Sequence, residues 1–324
     1  MSPPSLPPLP RFEVRLAPPD LDPWREGNTG IRGFTSFVAG RPGPHAALLA
    51  LMHGNELAGA VVLDRLLRAG LRPARGRLTF GFVNLAAFDR FDPRQPTLSR
   101  YVDEDINRLW NPGTLDGPRR SCELDRAREI RPLIDTVDVL VDLHSMLWDA
   151  DPLVLCGESP QGQALALGIG VPPLVVADSG HASGPRLIDY ARFRDPDDPA
   201  AAVLVEAGQH WEPATVDTAA ASVAGALRML EMVTSSGTAF GLPPPPVTPP
   251  PQRVADVTQV VTAATNAFAF VQPWRSGTVI PRRNTLLAFD GASEIRTPHD
   301  DCLLVMPSLR PNRGQTAVRL ARFV

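Results

Sequence analysis

A chain of 324 residues can bury a large core and has room for one big domain and a smaller one. Hydrophobic content of 44% with 21% charged residues excludes disorder along the whole length. The 35 acidic residues nearly balance the 32 basic ones, so no strong field favours nucleic acid or an anionic membrane.

The chain has no Lys, which we read, with 36 Pro and abundant Ala, as genomic base-composition bias. A Schiff-base or P-loop lysine is thereby excluded. Cys122, Cys156 and Cys302 are odd in number, widely spaced and form no C-x-x-C pair, as expected of reduced intracellular thiols. Met1 to Pro10 lacks the apolar core and basic start of a secretory signal. No apolar run approaches the ~18 residues of a membrane span. The expectation is a soluble cytoplasmic protein.

Residues 1–10 are too rich in Pro for helix or central strand and read as an extended lead-in. Phe12 to Leu16 predicts a short edge strand. Ile31 to Val38 and Ala46 to Met52 predict strands, the second apolar on both faces, as in a strand buried centrally, and ending at His53. A helical pattern starts at Asn55 or Glu56 and stops at Gly70. Leu78 to Val83 is a strand, Cys122 to Ile134 a helix, and Val137 to Leu143 a buried strand ending at His144. Leu174 to Ala177 and Val203 to Val205 read as strands, and Ala214 to Val233 as a helix. Residues 236–251 form a Pro-rich, semi-rigid linker. Beyond it, Val254 to Ala263, Ala267 to Val271, Leu286 to Phe289, Cys302 to Met306 and Thr316 to Leu320 predict short strands between Gly and Pro turns. The fold class is therefore α/β: a mixed central sheet flanked by helices over 11–235, with a smaller C-terminal all-β domain over 252–324.

Ligands of parallel α/β sheets bind at the carboxyl ends of strands. Three segments put ionisable residues there: His53-Gly-Asn-Glu56, Asp142-Leu-His144, and Glu206 after Val203-Leu-Val205. Catalytic zinc takes three N or O ligands and keeps one open position. A His and a Glu three apart can converge on one ion, and a His from a neighbouring strand completes the set. Taken singly, each motif has an ordinary explanation: H-x-x-E arises by chance, a His after a strand can be structural, and Glu206 could pair with an arginine.

Together with Ser99-Arg-Tyr-Val-Asp-Glu-Asp-Ile-Asn-Arg108, Asp142-Leu-His-Ser145 and Val205-Glu-Ala-Gly208, the His53 block resembles the succinylglutamate desuccinylase/aspartoacylase family of the zinc carboxypeptidase clan. The order and spacing of the four blocks match over roughly residues 30 to 235, and the C-terminal β domain is similar in kind. The resemblance implies a zinc-carboxypeptidase-like fold and one Zn2+ per chain on His53, Glu56 and His144. It also implies that Glu206 is the general base, taking a proton from water activated at zinc and delivering it to the leaving amine. Asn107 and Arg108 match the pair that grips a substrate carboxylate, and Arg100 the arginine that polarises the scissile carbonyl.

Arg108 could instead staple its loop to Asp103 or Asp105, and Asp105 could brace the Asn107-Arg108 loop. Asp142 could orient His144 or accept a buried N–H. His181, in a Gly- and Ser-rich stretch, and Arg186 and Tyr190 after it are candidate substrate contacts. His210 and Trp211 are candidate pocket residues, while His45 and His299 read as surface or turn residues. The chain departs from the aspartoacylase branch: its only tyrosines are Tyr101 and Tyr190, so the β domain supplies none to the substrate.

The resulting expectation is a zinc-dependent amidohydrolase for a small substrate with a carboxylate, such as an N-acyl amino acid, with no nucleic-acid or membrane partner and homo-oligomerisation left open. The rivals are a metallocarboxypeptidase or peptide-amide hydrolase, and a non-catalytic metal-binding regulatory protein. A two-His, one-Glu site also admits cobalt or manganese.

Overall fold

The computed structural model describes residues 12–181, 183–233, 239–248 and 250–324, so the lead-in over 1–10 and part of the Pro-rich linker lie outside the described residues. The first half contains β1 (Phe34–Val38), β2 (His45–Ala50), α1 (Leu57–Arg68), β3 (Arg77–Phe82), α2 (Leu85–Phe88), α3 (Pro112–Leu115) and α4 (Cys122–Ile134). Then come β4 (Val139–Met146), β5 (Leu153–Leu155), α5 (Pro160–Ile169), β6 (Leu174–Ala177), α6 (Ala191–Arg194), β7 (Ala201–Gln209) and α7 (Pro213–Met229). The last stretch is all β: β8 (Arg253–Thr262), β9 (Phe268–Phe270), β10 (Val279–Ile280), β11 (Leu286–Asp290), β12 (Ser293–Arg296), β13 (Cys302–Val305) and β14 (Thr316–Phe323).

The large sheet has the order β1-β3-β2-β4-β7-β5-β6-β8-β14-β13-β10, and β12-β11-β9 form a small antiparallel sheet. β3, β2, β4 and β7 run parallel, β1 is antiparallel on the outer edge, and β5 is antiparallel to β7. The C-terminal β region joins the α/β region edge to edge, because β8 pairs in parallel with β6. No helix among the described residues is long and apolar enough to cross a membrane.

Two-sided burial of the central strands explains their unbroken apolar sequence. Ala46, Leu48 and Ala50 of β2 join Val141, Leu143, Val203 and Val205 in the core beneath α1, α5 and α7. Ala47 and Leu49 join Leu140, Ala202 and Leu204 in the core beneath α4. Strand alternation then carries Asp142 and His144, and likewise Glu206, onto the α4 side.

Phe12 to Leu16 corrects the sequence expectation. Phe12, Val14 and Leu16 pack on the core with alternating burial, but the segment forms no strand. Among the described residues its backbone is tied at one point, Arg15 N donating to the Trp211 carbonyl at 3.2 Å. β5 and α5 were not foreseen. The helix starts where Ser159 Oγ accepts from Gly162 N at 3.1 Å ahead of Pro160, and stops at Gly170 with φ +85°.

Candidate metal centre and its cavity

β2 ends at Ala50, and the chain turns sharply through Leu51, whose φ is +58°. Gly54 lets this turn close: a Cβ there would lie 2.6 Å from the Ser99 carbonyl and would also strike the backbone of Ala87 and Phe88. Its N–H donates to the Arg100 carbonyl at 3.1 Å, holding Arg100 beside His53. Glu56 is the residue immediately before α1, where the helix dipole favours an anion.

His53, Glu56 and His144 converge, with one ligand atom from each lying within 4.8 Å of the others, and all three are buried. His53 Nδ1 is 2.7 Å from Glu56 Oε1 and His144 Nδ1 is 3.0 Å from Glu56 Oε2. The far nitrogens are held by other carboxylates: His53 Nε2 is 3.0 Å from Asp105 Oδ1, and His144 Nε2 is 2.8 Å from Asp142 Oδ2. The two Nδ1 atoms are thus the ones turned inward. Two imidazoles and one carboxylate beside a cavity could hold one metal ion, and they match the three-ligand set that catalytic zinc takes, with further carboxylates behind both histidines. Although burial opposes it, Asp142 and Glu56 hold the His144 pKa well above the usual histidine range. Glu56, against its own burial, is held well below the carboxylate range by His53 and His144.

Glu206 stands opposite His144 in the β4–β7 register, and an extra β7 residue follows before Gln209 pairs with Met146. Gly208 makes this bulge with φ +136°, and a Cβ there would lie 2.8 Å from Thr215 Oγ1. Glu206 Oε2 is buried with no hydrogen-bond partner among the described residues. Desolvation, reinforced by the Glu56 charge, raises its carboxyl to about 8.

The cluster opens into a cavity of about 730 Å³ that is also lined by Arg100, Asn107, Arg108, His181 and Arg186. Arg100 Nη2 donates to Asp105 Oδ2 at 3.0 Å and lies 2.9 Å from His53 Nε2. Asn107 Oδ1 accepts from Leu187 N at 2.8 Å, which fixes the amide. Arg108 donates to the Asn107 carbonyl at 2.6 Å and makes a long ion pair with Asp105 at 3.9 Å. Asp105 accepts from Asn107 N and from Arg100, and so braces the loop while facing His53.

The remaining sequence candidates fare differently. His181 lines the cavity with Nδ1 3.1 Å from Thr316 Oγ1, and burial plus the Arg319 charge push its pKa far down. Arg186 lines the cavity too, but its Nε, Nη1 and Nη2 all donate to Asp178 and Asp189. Tyr190 is not among the cavity-lining residues: its hydroxyl donates to Asp135 at 2.8 Å and accepts from Arg131 Nε at 3.0 Å, on the α4 side. His210 lines the cavity and Trp211 does not, although the Trp211 indole donates to the Asn55 carbonyl at 3.1 Å. His45 and His299, expected at the surface or in turns, are both buried and hydrogen-bonded, to Thr79 and Thr258, His45 opening β2 and His299 lying in the bend before the Asp300–Asp301 turn.

Two residues escaped the sequence reading. Arg319 of β14 reaches the cavity from the C-terminal region, donating to Asp178 Oδ2 at 2.8 Å and to His181 Nε2 at 2.7 Å. Glu123 of α4, fully buried, accepts from Val102 N, Asp103 N, Glu104 N and Asn84 Nδ2, shaping the loop that carries Arg100. Its only local sign was an acidic residue in a first helical turn, which ordinarily faces solvent.

The structure resembles succinylglutamate desuccinylase from Vibrio parahaemolyticus, with TM-score 0.68, 16% identity, and coverage of 90% of this chain and 86% of that one. It resembles a succinylglutamate desuccinylase/aspartoacylase from Rhodobacter sphaeroides, with TM-score 0.62, 18% identity, and coverage of 90% and 88%. The product-bound ectoine utilization protein of Ruegeria pomeroyi follows with TM-score 0.60, 17% identity, and coverage of 89% and 88%. At these identities the likeness establishes the fold. No curated protein matches the sequence. The model of the succinylglutamate desuccinylase/aspartoacylase catalytic domain matches residues 42–233, more than half of the chain, and the chain belongs to that family.

Proposed function

We propose that this protein is a zinc-dependent amidohydrolase that cleaves the amide bond of a small carboxylate-bearing substrate such as an N-acyl amino acid. Family membership and the His53–Glu56–His144 cluster support a zinc-dependent hydrolase of this clan. The observation that carries the finer reading is Glu206, buried, unpartnered and in register with His144. His53, Glu56 and His144 would hold a zinc ion, which when bound would polarise a water and make it more acidic. Glu206 takes the proton of the attacking water and passes it to the leaving amine, a task suited to a carboxyl that burial has made more basic. Arg100 steadies the charge that develops on the carbonyl oxygen. Arg108, held by a backbone carbonyl and only loosely paired with Asp105 at 3.9 Å, binds the substrate carboxylate together with Asn107. Arg319 adds a third group to that wall.

The test is Glu206→Gln, assayed on a panel of N-acyl amino acids and short peptides. Turnover should be lost while zinc is retained, and full activity in the variant would refute the assigned role.

A further inference from the structure

The amidohydrolase reading does not specify the acyl group, and the cavity carries information on it. We propose that the substrate's acyl group is bulky and apolar, an aromatic ring or a chain of several carbons, seated on a wall made by Met146, Trp148, Trp274 and Met306. The inference rests on the reading above for its placement of the scissile bond.

The wall begins beside the metal cluster. β4 carries His144, and Met146 follows on the same strand face, ahead of Leu147 and Trp148 at the cavity edge. The C-terminal β region supplies the rest. The Trp274 indole N–H donates to the Leu287 carbonyl at 3.1 Å, so its polar end is already occupied and the ring is what it offers. Met306 has φ +50°, a left-handed conformation that a bulky residue adopts only when its surroundings impose it. Ser276 Oγ holds it there by accepting from Met306 N at 3.0 Å, and Ser276 itself bridges Ala150 in the loop after Trp148. One tie therefore sets the Trp148 loop, the Trp274 loop and Met306 around the same space. Trp148, Trp274 and Met306 line the cavity and are only half-buried, Trp148 with Phe12 against its ring at 5.4 Å, so apolar surface is left for a ligand to cover.

The remaining features agree on what covers it. Six arginines line the cavity: Arg108, Arg186 and Arg319 gather around His181, Arg100 stands beside His53, Arg119 pairs with Glu104 at 2.6 Å, and Arg313 lies in the loop before β14, so a substrate carboxylate finds its charge cluster around His181 and His53. Asp149 and Asp151 near the wall both face Arg275, at 3.5 Å and 2.9 Å. A charged acyl group seated on this wall would lose water against Trp and Met side chains that offer it no hydrogen bond. The volume, about 730 Å³, equals that of roughly two dozen water molecules. An acetyl group would leave most of the apolar wall wet.

The test uses the full zinc-supplemented chain carrying Glu206→Gln, titrated calorimetrically with N-acetyl-, N-butanoyl-, N-hexanoyl- and N-benzoylglycine. Affinity should rise about fourfold per buried methylene, with benzoyl far above acetyl. Trp274→Ala and Met306→Gly, each with unchanged far-UV circular dichroism, should flatten the series. A flat or falling series, or binding of no member, overturns the inference. Turnover of the same compounds by the unsubstituted chain separates the two readings. Hydrolysis with a flat series leaves the amidohydrolase standing and removes the apolar subsite. A steep binding series without hydrolysis leaves the subsite standing and removes the amidohydrolase.

Discussion

Asp142 Oδ2 lies 2.8 Å from His144 Nε2, two residues away on the same face of β4, and turns the other ring nitrogen toward Glu56. The carboxylate thereby holds the ring orientation of a buried histidine that lines the cavity. Asp142→Asn should lower zinc affinity by about 10- to 100-fold while the fold persists. Competition against a chelator of known affinity measures this, and unchanged affinity would mean that Asp142 only fills space.

Glu206→Gln should lower kcat by about 10²- to 10⁴-fold with bound metal preserved. Steady-state kinetics and metal content on the same preparation separate loss of the base from loss of the ion. A comparable fall in both would assign Glu206 to metal binding.

Glu123 accepts three consecutive backbone N–H groups of the loop that follows Arg100. Glu123→Ala leaves these buried donors without their acceptor and should destabilise the protein by on the order of 3 kcal/mol. It should also lower kcat/KM, because Arg100 and Asp105 ride on the loop. Chemical denaturation and kinetics check both. Unaltered stability would show that water replaces the carboxylate.

Acid sensitivity follows from Asp178 and His45. Asp178, against its burial, is held below the carboxylate range by Arg186 and Arg319. Its stabilisation is fully present above the unfolded carboxylate pKa of ~3.9 and is lost as pH falls through the depressed folded value. His45 is lowered to about 4 by burial. Between the unfolded pKa of ~6.5 and about 4 the unfolded chain binds the proton that the native state refuses, so stability falls as pH drops through that window. His45→Gln should flatten the decline in melting temperature between pH 7 and pH 5. Asp178→Asn should lower stability at neutral pH and flatten only the more acid limb. An unchanged slope in the His45 variant would contradict the first expectation.

The sequence was most legible where local pattern and tertiary role coincide. β2 and β4 read as buried strands because both faces are apolar, and His53 and His144 stand at or just beyond the predicted strand ends. The α4 bounds follow from Ser121 as cap and the acidic first turn, and they were read residue for residue. Phe12 to Leu16 shows the limit of alternation: the pattern encodes which side is buried, and the partner strand that would make a ladder is not encoded in it. β5 is three residues between polar turns, and α5 carries two glycines, so neither has a strong local signal. Arg319 was hidden for another reason. Its strand looks like any short β run, and only the β6–β8–β14 pairing brings it to a cavity built mainly from residues more than a hundred positions earlier.

If His53, Glu56 and His144 hold a catalytic zinc ion, metal analysis of the purified protein beside His144→Ala will find near-stoichiometric zinc in the unsubstituted chain and its loss in the variant. Absence of metal from both, even after zinc is supplied, would contradict that assignment and reduce the family relationship to an inherited fold.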